Sequence, residues 1–102
     1  MRIERFKEFY KLSKIVWSAH GVQRLQECDI SISDVGKCIM NGEIIEEYNE
    51  EAPAKSSALI YGKVNGKVLH IVLGIDEEQI YFVTGYIPDK SKFNDDLRTR
   101  RK

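Results

Sequence analysis

Apolar residues recur every three to four positions early in the chain and at every second position in its later half, a change of period that separates helices from strands. Ile3, Phe6, Phe9 and Tyr10 predict an amphipathic helix over residues 2–12. Lys14 to Trp17 reads as a short extended link. Ser18 is the expected N-cap of a second helix running to about Cys28, with Val22 and Leu25 facing inward. Ser33 is the expected cap of a short third helix with Val35, Ile39 and Met40 inward, ended by Asn41-Gly42 with Gly42 in the left-handed position.

Four strands are then predicted. Glu43 to Tyr48 is the first, with Ile45 on one face and Ile44 and Tyr48 on the other. A polar connection containing Pro53 leads to Ala58–Val64, Lys67–Ile75 and Gln79–Ile87. Asn65-Gly66 suits a two-residue hairpin turn, both of whose central positions need positive φ. That turn sets Tyr61 opposite His70 and Leu59 opposite Val72. One sheet face then carries Leu59, Tyr61, Lys63, Val68, His70 and Val72, and the other carries Ile60, Val64, Leu69, Ile71, Leu73 and Ile75. The aliphatic face is expected to meet the helices and the mixed face to meet solvent or a ligand. An odd loop between Ile75 and Ile80 would put Thr84 and Tyr86 on the His70 face; an even loop would put Val83 and Gly85 there. The odd loop is expected, because it keeps Thr84 and Tyr86 out of the aliphatic core. The sum is an α+β fold, N-terminal helices on one face of a four-stranded antiparallel sheet, in a single domain over residues 1–102 with a basic tail from residue 88.

Net charge is zero, so charge as a whole argues for neither nucleic acid nor membrane. Its distribution changes that picture. Residues 1–24 and 90–102 each carry +4, and residues 27–51 carry −7, so the two basic ends can form one patch if the fold joins them. Cys28 and Cys38 lack metal-ligand spacing and are expected to pack as small apolar residues in a reducing cytoplasm, without metal or cofactor. No apolar run approaches membrane-spanning length.

The candidate chemistry rests on His20, Arg24, Tyr61, His70, Thr84 and Tyr86. His20 and Arg24 share a helix face at i and i+4. Two histidines, an arginine and hydroxyl groups match the needs of metal-free RNA cleavage: a base for the 2′-hydroxyl, an acid for the leaving 5′-oxygen, and donors for the phosphate. Each residue also has a structural reading. His70 can be a satisfied strand histidine, His20 a helix-start histidine bonded to backbone, and Arg24 a surface ion pair with Glu27 or Glu46. Thr84 and Tyr86 are good strand formers in any case.

Taken in order, Trp17-Ser18-Ala19-His20, Arg24, Ile30-Ser31, Val35 and Asn41 to Tyr48 resemble the bacterial family known as domain of unknown function 4258. Gly62, Gly66-Lys67, Leu69-His70-Ile71-Val72, Val83-Thr84, Tyr86 and Pro88 continue the resemblance. Two departures are Glu27-Cys28-Asp29 where the family usually has a second arginine, and Phe93 where it often has tryptophan. That family is similar in layout to the small RelE/ParE-like messenger-RNA-interferase toxins. The resemblance implies a toxin-antitoxin endoribonuclease acting without metal, with His20, Arg24, His70, Thr84 and Tyr86 at the matching positions. It also implies a cognate antitoxin, of zinc-finger type in many members, as partner.

Under this expectation His20 and His70 share the acid and base roles, Arg24 steadies the phosphate, and Thr84 and Tyr86 position it. Tyr61, Lys63, Arg98, Arg100 and Arg101 form the RNA track. The competing expectation is a non-catalytic toxin-like module that binds protein or RNA on the same face.

Overall fold

The hairpin at Asn65-Gly66 forms as its turn chemistry requires. In the computed structural model, which describes residues 2–49, 56–89, 91 and 96–98, the two residues have φ of 53° and 80°. They join β3 (Ser56–Val64) to β4 (Lys67–Ile75). Val64 pairs with Lys67, Tyr61 with His70 and Leu59 with Val72. Around this hairpin stand α1 (Ile3–Lys11), β1 (Ile15–Trp17), α2 (Ala19–Glu27), α3 (Ile32–Asn41), β2 (Glu43–Asn49) and β5 (Ile80–Tyr86).

The α+β class holds, but the sheet has five strands in the order β1-β5-β4-β3-β2 and is mixed. The expected four-stranded antiparallel sheet lacks β1, which runs parallel to β5 with Ile15 opposite Ile80 and Trp17 opposite Phe82. After α1 the chain reverses at Ser13, which has φ of 59°. The amide of Lys14 donates to the Phe9 carbonyl, and the Lys14 carbonyl accepts from the Ile80 amide. The link from Lys14 to Trp17 is thereby zipped onto the sheet edge, and the Trp17 ring packs 5.2 Å from that of Phe82.

Two helix boundaries follow local side-chain chemistry. Ser18 caps α2 by accepting from the Gly21 amide at 3.0 Å. The cap of α3 is Ser31, not Ser33: Ser31 accepts from the Asp34 amide and the Asp34 carboxylate accepts from the Ser31 amide. This reciprocal pair satisfies two amides that would otherwise face water at the helix start. Gly42 also departs from expectation. It has φ −90° and ψ 178°, so α3 passes directly into extended backbone with no left-handed turn.

The core lies between the helices and the aliphatic sheet face. Phe6, Leu25, Val35, Cys38 and Ile39 meet Ile60, Leu69, Ile71, Leu73 and Phe82 there, each at most 3% exposed. At roughly 1.5–3 kcal/mol per fully buried large apolar side chain, this layer is the main source of folding free energy.

Two bulges adjust which residues share a face. The loop after Ile75 is even, since Ile75 pairs with Ile80. Its four residues are closed by the Asp76 carboxylate, which accepts from the amides of Glu78 and Gln79 at 2.8 and 2.9 Å. The expected odd loop is therefore wrong. Thr84 and Tyr86 nevertheless reach the His70 face, because the register shifts between Val72 and Leu73: Leu73 pairs with Phe82, Val72 with Thr84 and His70 with Tyr86. Val83 is the extra residue. A second shift lies at Ile45, between the pairs Ile44–Ile60 and Glu46–Leu59. It sets Ile44 on the core face and Tyr48 on the other, which separates two residues expected on one face.

Candidate functional site

On the sheet face turned away from the helices, one cross-strand row runs Glu43, Tyr61, His70, Tyr86 through β2, β3, β4 and β5. The imidazole of His70 stands between two phenol rings, with centroids 6.1 Å away at Tyr61 and 5.5 Å away at Tyr86. Thr84 is half-buried on the same face, opposite Val72.

This face was expected to be open, and it is not. His70 and Leu59 have no exposed surface and Tyr61 has 8%. Leu97 and Arg98 lie on the row. His70 Nε2 is 2.6 Å from the carbonyl oxygen of Leu97. A carbonyl only accepts, so Nε2 carries the proton and donates. Arg98 follows with its guanidinium carbon 4.3 Å above the Tyr61 ring centroid. Its Nη1 also pairs with Glu43 Oε1, both side chains being about half exposed. Asn41, Glu43, Tyr61, Gly62, Lys63 and Arg98 line an open groove of about 430 Å³ at this end of the row.

The expected residues thus divide into two groups. His70, Tyr61, Tyr86 and Thr84 share the face, with Lys63 exposed at its margin and Arg98 docked on it. His20 and Arg24 are exposed on α2, which packs on the other side of the sheet against Phe82 and Gly85. Arg24 reaches Glu27 at 3.9 Å, with both side chains more than half exposed. That is the surface ion pair considered from sequence, and such pairs contribute little. The pocket shared by both imidazoles does not form in this state, since one ring is at the surface and the other is sealed. Arg100, Arg101 and Phe93 lie outside the described residues.

Glu43 and the Leu97 carbonyl are contacts that sequence reasoning missed. Glu43 stood at the predicted start of the first strand, but its partner across the sheet depends on the Ile45 bulge. Among the described residues, no three His, Cys, Asp or Glu side chains converge to hold a metal ion. Cys28 and Cys38 are free thiols. Cys38 is sealed beneath β3 and β4, and burial pushes its thiol up to about 12. No helix among the described residues is long and apolar enough to cross a membrane.

The fold and the row define an α+β domain with a covered aromatic and imidazole face. The family described as Domain of unknown function (DUF4258) matches residues 17–87, and the chain belongs to it. The matched span contains α2, α3, all the antiparallel strands and the four-residue row, and it stops short of the segment that covers the row. No curated protein and no solved structure matches the chain.

Proposed function

We propose that the chain is a toxin-type module that takes single-stranded RNA on the face carrying Tyr61, His70 and Tyr86. The row itself carries this reading. Aromatic and imidazole rings on adjacent strands offer successive bases a stacking platform, a mode of recognition that suits unpaired RNA. Lys63 at the margin supplies a cation for the phosphate backbone, as Arg98 does once undocked, and Thr84 supplies a hydroxyl. In the cell, a cognate antitoxin is the expected protein partner.

Metal-independent cleavage of the bound RNA is the second reading, and one observation favours it. His70 Nε2 stands at hydrogen-bond distance from an oxygen atom, the position from which an imidazolium can protonate a leaving 5′-oxygen. In that reading the phosphate oxygens meet Thr84 and Tyr86. His20 and Arg24 stand on the other side of the sheet and do not reach the same phosphate, so the 2′-hydroxyl proton passes to water. Both readings require the segment around Leu97 to leave the row, because His70 is otherwise inaccessible.

Fluorescence anisotropy with a labelled single-stranded RNA tests the first reading. Tyr61→Ala and Tyr86→Ala are each expected to weaken binding by roughly tenfold, the scale of one lost base stack. Unchanged affinity in both variants rejects it. An RNA integrity gel run with chelator tests the second: cleavage that persists with chelator and disappears in His70→Ala supports it.

A further inference from the structure

We infer that Tyr61 and Glu43 form a guanine-selective subsite, which the chain's own Arg98 occupies when no ligand is bound. The inference rests on the RNA-binding reading above and names the base that its first position prefers.

Arg98 shows what the subsite accepts. Its guanidinium is planar and delocalised, lies 4.3 Å over the Tyr61 ring and presents an in-plane N–H donor to the Glu43 carboxylate. A ligand that replaces it must offer a flat π-surface to the ring and N–H donors to a carboxylate that only accepts. Guanine does both, since its N1–H and N2–H groups lie side by side in the ring plane and repeat the donor fork of a guanidinium. Adenine and cytosine place an amino group beside a ring nitrogen lone pair, which would face the second carboxylate oxygen. Uracil offers one N–H flanked by two carbonyls, and both repel the carboxylate.

The surroundings fit a nucleotide as well as a base. The groove of about 430 Å³ is open, and Lys63, exposed on its wall, can meet a phosphate. Glu43 and Arg98 are about half exposed, so the internal ligand is held by contacts that water screens. Among the described residues, an incoming base displaces these contacts and the bond from His70 to Leu97. Occupation by Arg98 therefore lowers apparent affinity without closing the site permanently.

The test uses the full chain and the four nucleoside 5′-monophosphates, with binding followed by NMR shifts of the Tyr61 ring. Arg98→Ala is expected to bind GMP roughly tenfold more tightly than AMP, CMP or UMP, about the worth of one charge-assisted hydrogen bond. It should also bind GMP more tightly than the wild type does. Arg98→Lys, which keeps the charge but loses the planar fork, is expected to show the same preference. Arg98→Ala combined with Glu43→Gln should bind all four nucleotides alike. Equal binding of all four by Arg98→Ala, or a GMP preference that survives Glu43→Gln, overturns the subsite. A parallel titration with a uridine-only oligonucleotide separates the two proposals. If it binds while the guanine preference is missing, only the subsite fails. If neither it nor any mononucleotide binds, the RNA reading fails too.

Discussion

His70 Nε2 and the carbonyl oxygen of Leu97 are 2.6 Å apart across 27 positions of sequence. This bond fixes the imidazole tautomer and ties Leu97 to the middle of the sheet. Nitrogen NMR is expected to show the Nε2–H tautomer of His70, with a ring proton that exchanges slowly with water. His70→Ala removes the donor and leaves space among buried groups, and should cost about 1–3 kcal/mol in urea unfolding. A freely exchanging ring proton together with no loss of stability would show that the segment is not docked in solution.

Cys38 gives a pH signature. Burial raises its thiol from 9.0 to about 12, so the folded chain keeps a proton that the unfolded chain releases. The unfolded state then binds fewer protons, and stability falls as pH rises from about 9 towards 12, by up to about 1.4 kcal/mol per unit. Urea midpoints from pH 8 to 10.5 should decline more steeply in the wild type than in Cys38→Ala. Equal slopes would remove this residue from the alkaline limb.

Gly21 sits where α2 meets β5. A Cβ there would lie 2.7 Å from the Val83 carbonyl oxygen, 2.9 Å from the Phe82 ring and 2.6 Å from Ser18 Oγ. The first two neighbours are backbone and a core ring, neither of which can easily give way. Gly21→Ala should therefore lower the thermal midpoint, because overpacking of about 1–3 kcal/mol outweighs the roughly 1 kcal/mol gained in helix propensity. A raised midpoint would mean that α2 can slide outward without loss.

The capping box of α3 offers a paired comparison. Ser31→Ala is expected to cost about 1 kcal/mol, whereas Ser33→Ala, two residues away and exposed, should stay within about 0.5 kcal/mol. Chemical denaturation of the two variants measures both. A larger loss at Ser33 would return the cap to the residue first expected from sequence.

What could be read from sequence was local. Asn65-Gly66 dictated a two-residue turn, and from it followed the pairing of Tyr61 with His70 and both face assignments of β3 and β4. Ser18 was legible as a cap for the same reason, since its partner is three residues away. The parallel strand Ile15–Trp17 was not, because three residues carry no usable period and their partner lies 65 positions on. Thr84 and Tyr86 were placed on the correct face for the wrong reason. The even loop and the bulge at Val83 each reverse the alternation, and together they restore it. The burial of His70 was also out of reach. Its neighbours on β3 and β5 could be listed from register, but the Leu97 carbonyl comes from a tail whose path no pattern announces.

The pairing of β1 with β5 has a consequence for synthesis. β1 leaves the ribosome well before its hydrogen-bonding partner, Ile80–Phe82, which is made 65 residues later. Until then Ile15 and Trp17 have no sheet edge to join, and contacts closed over so long a span form slowly. A nascent chain therefore cannot close the sheet before β5 is made, and a translation product cut short before residue 80 lacks both the partner of β1 and Tyr86 of the row.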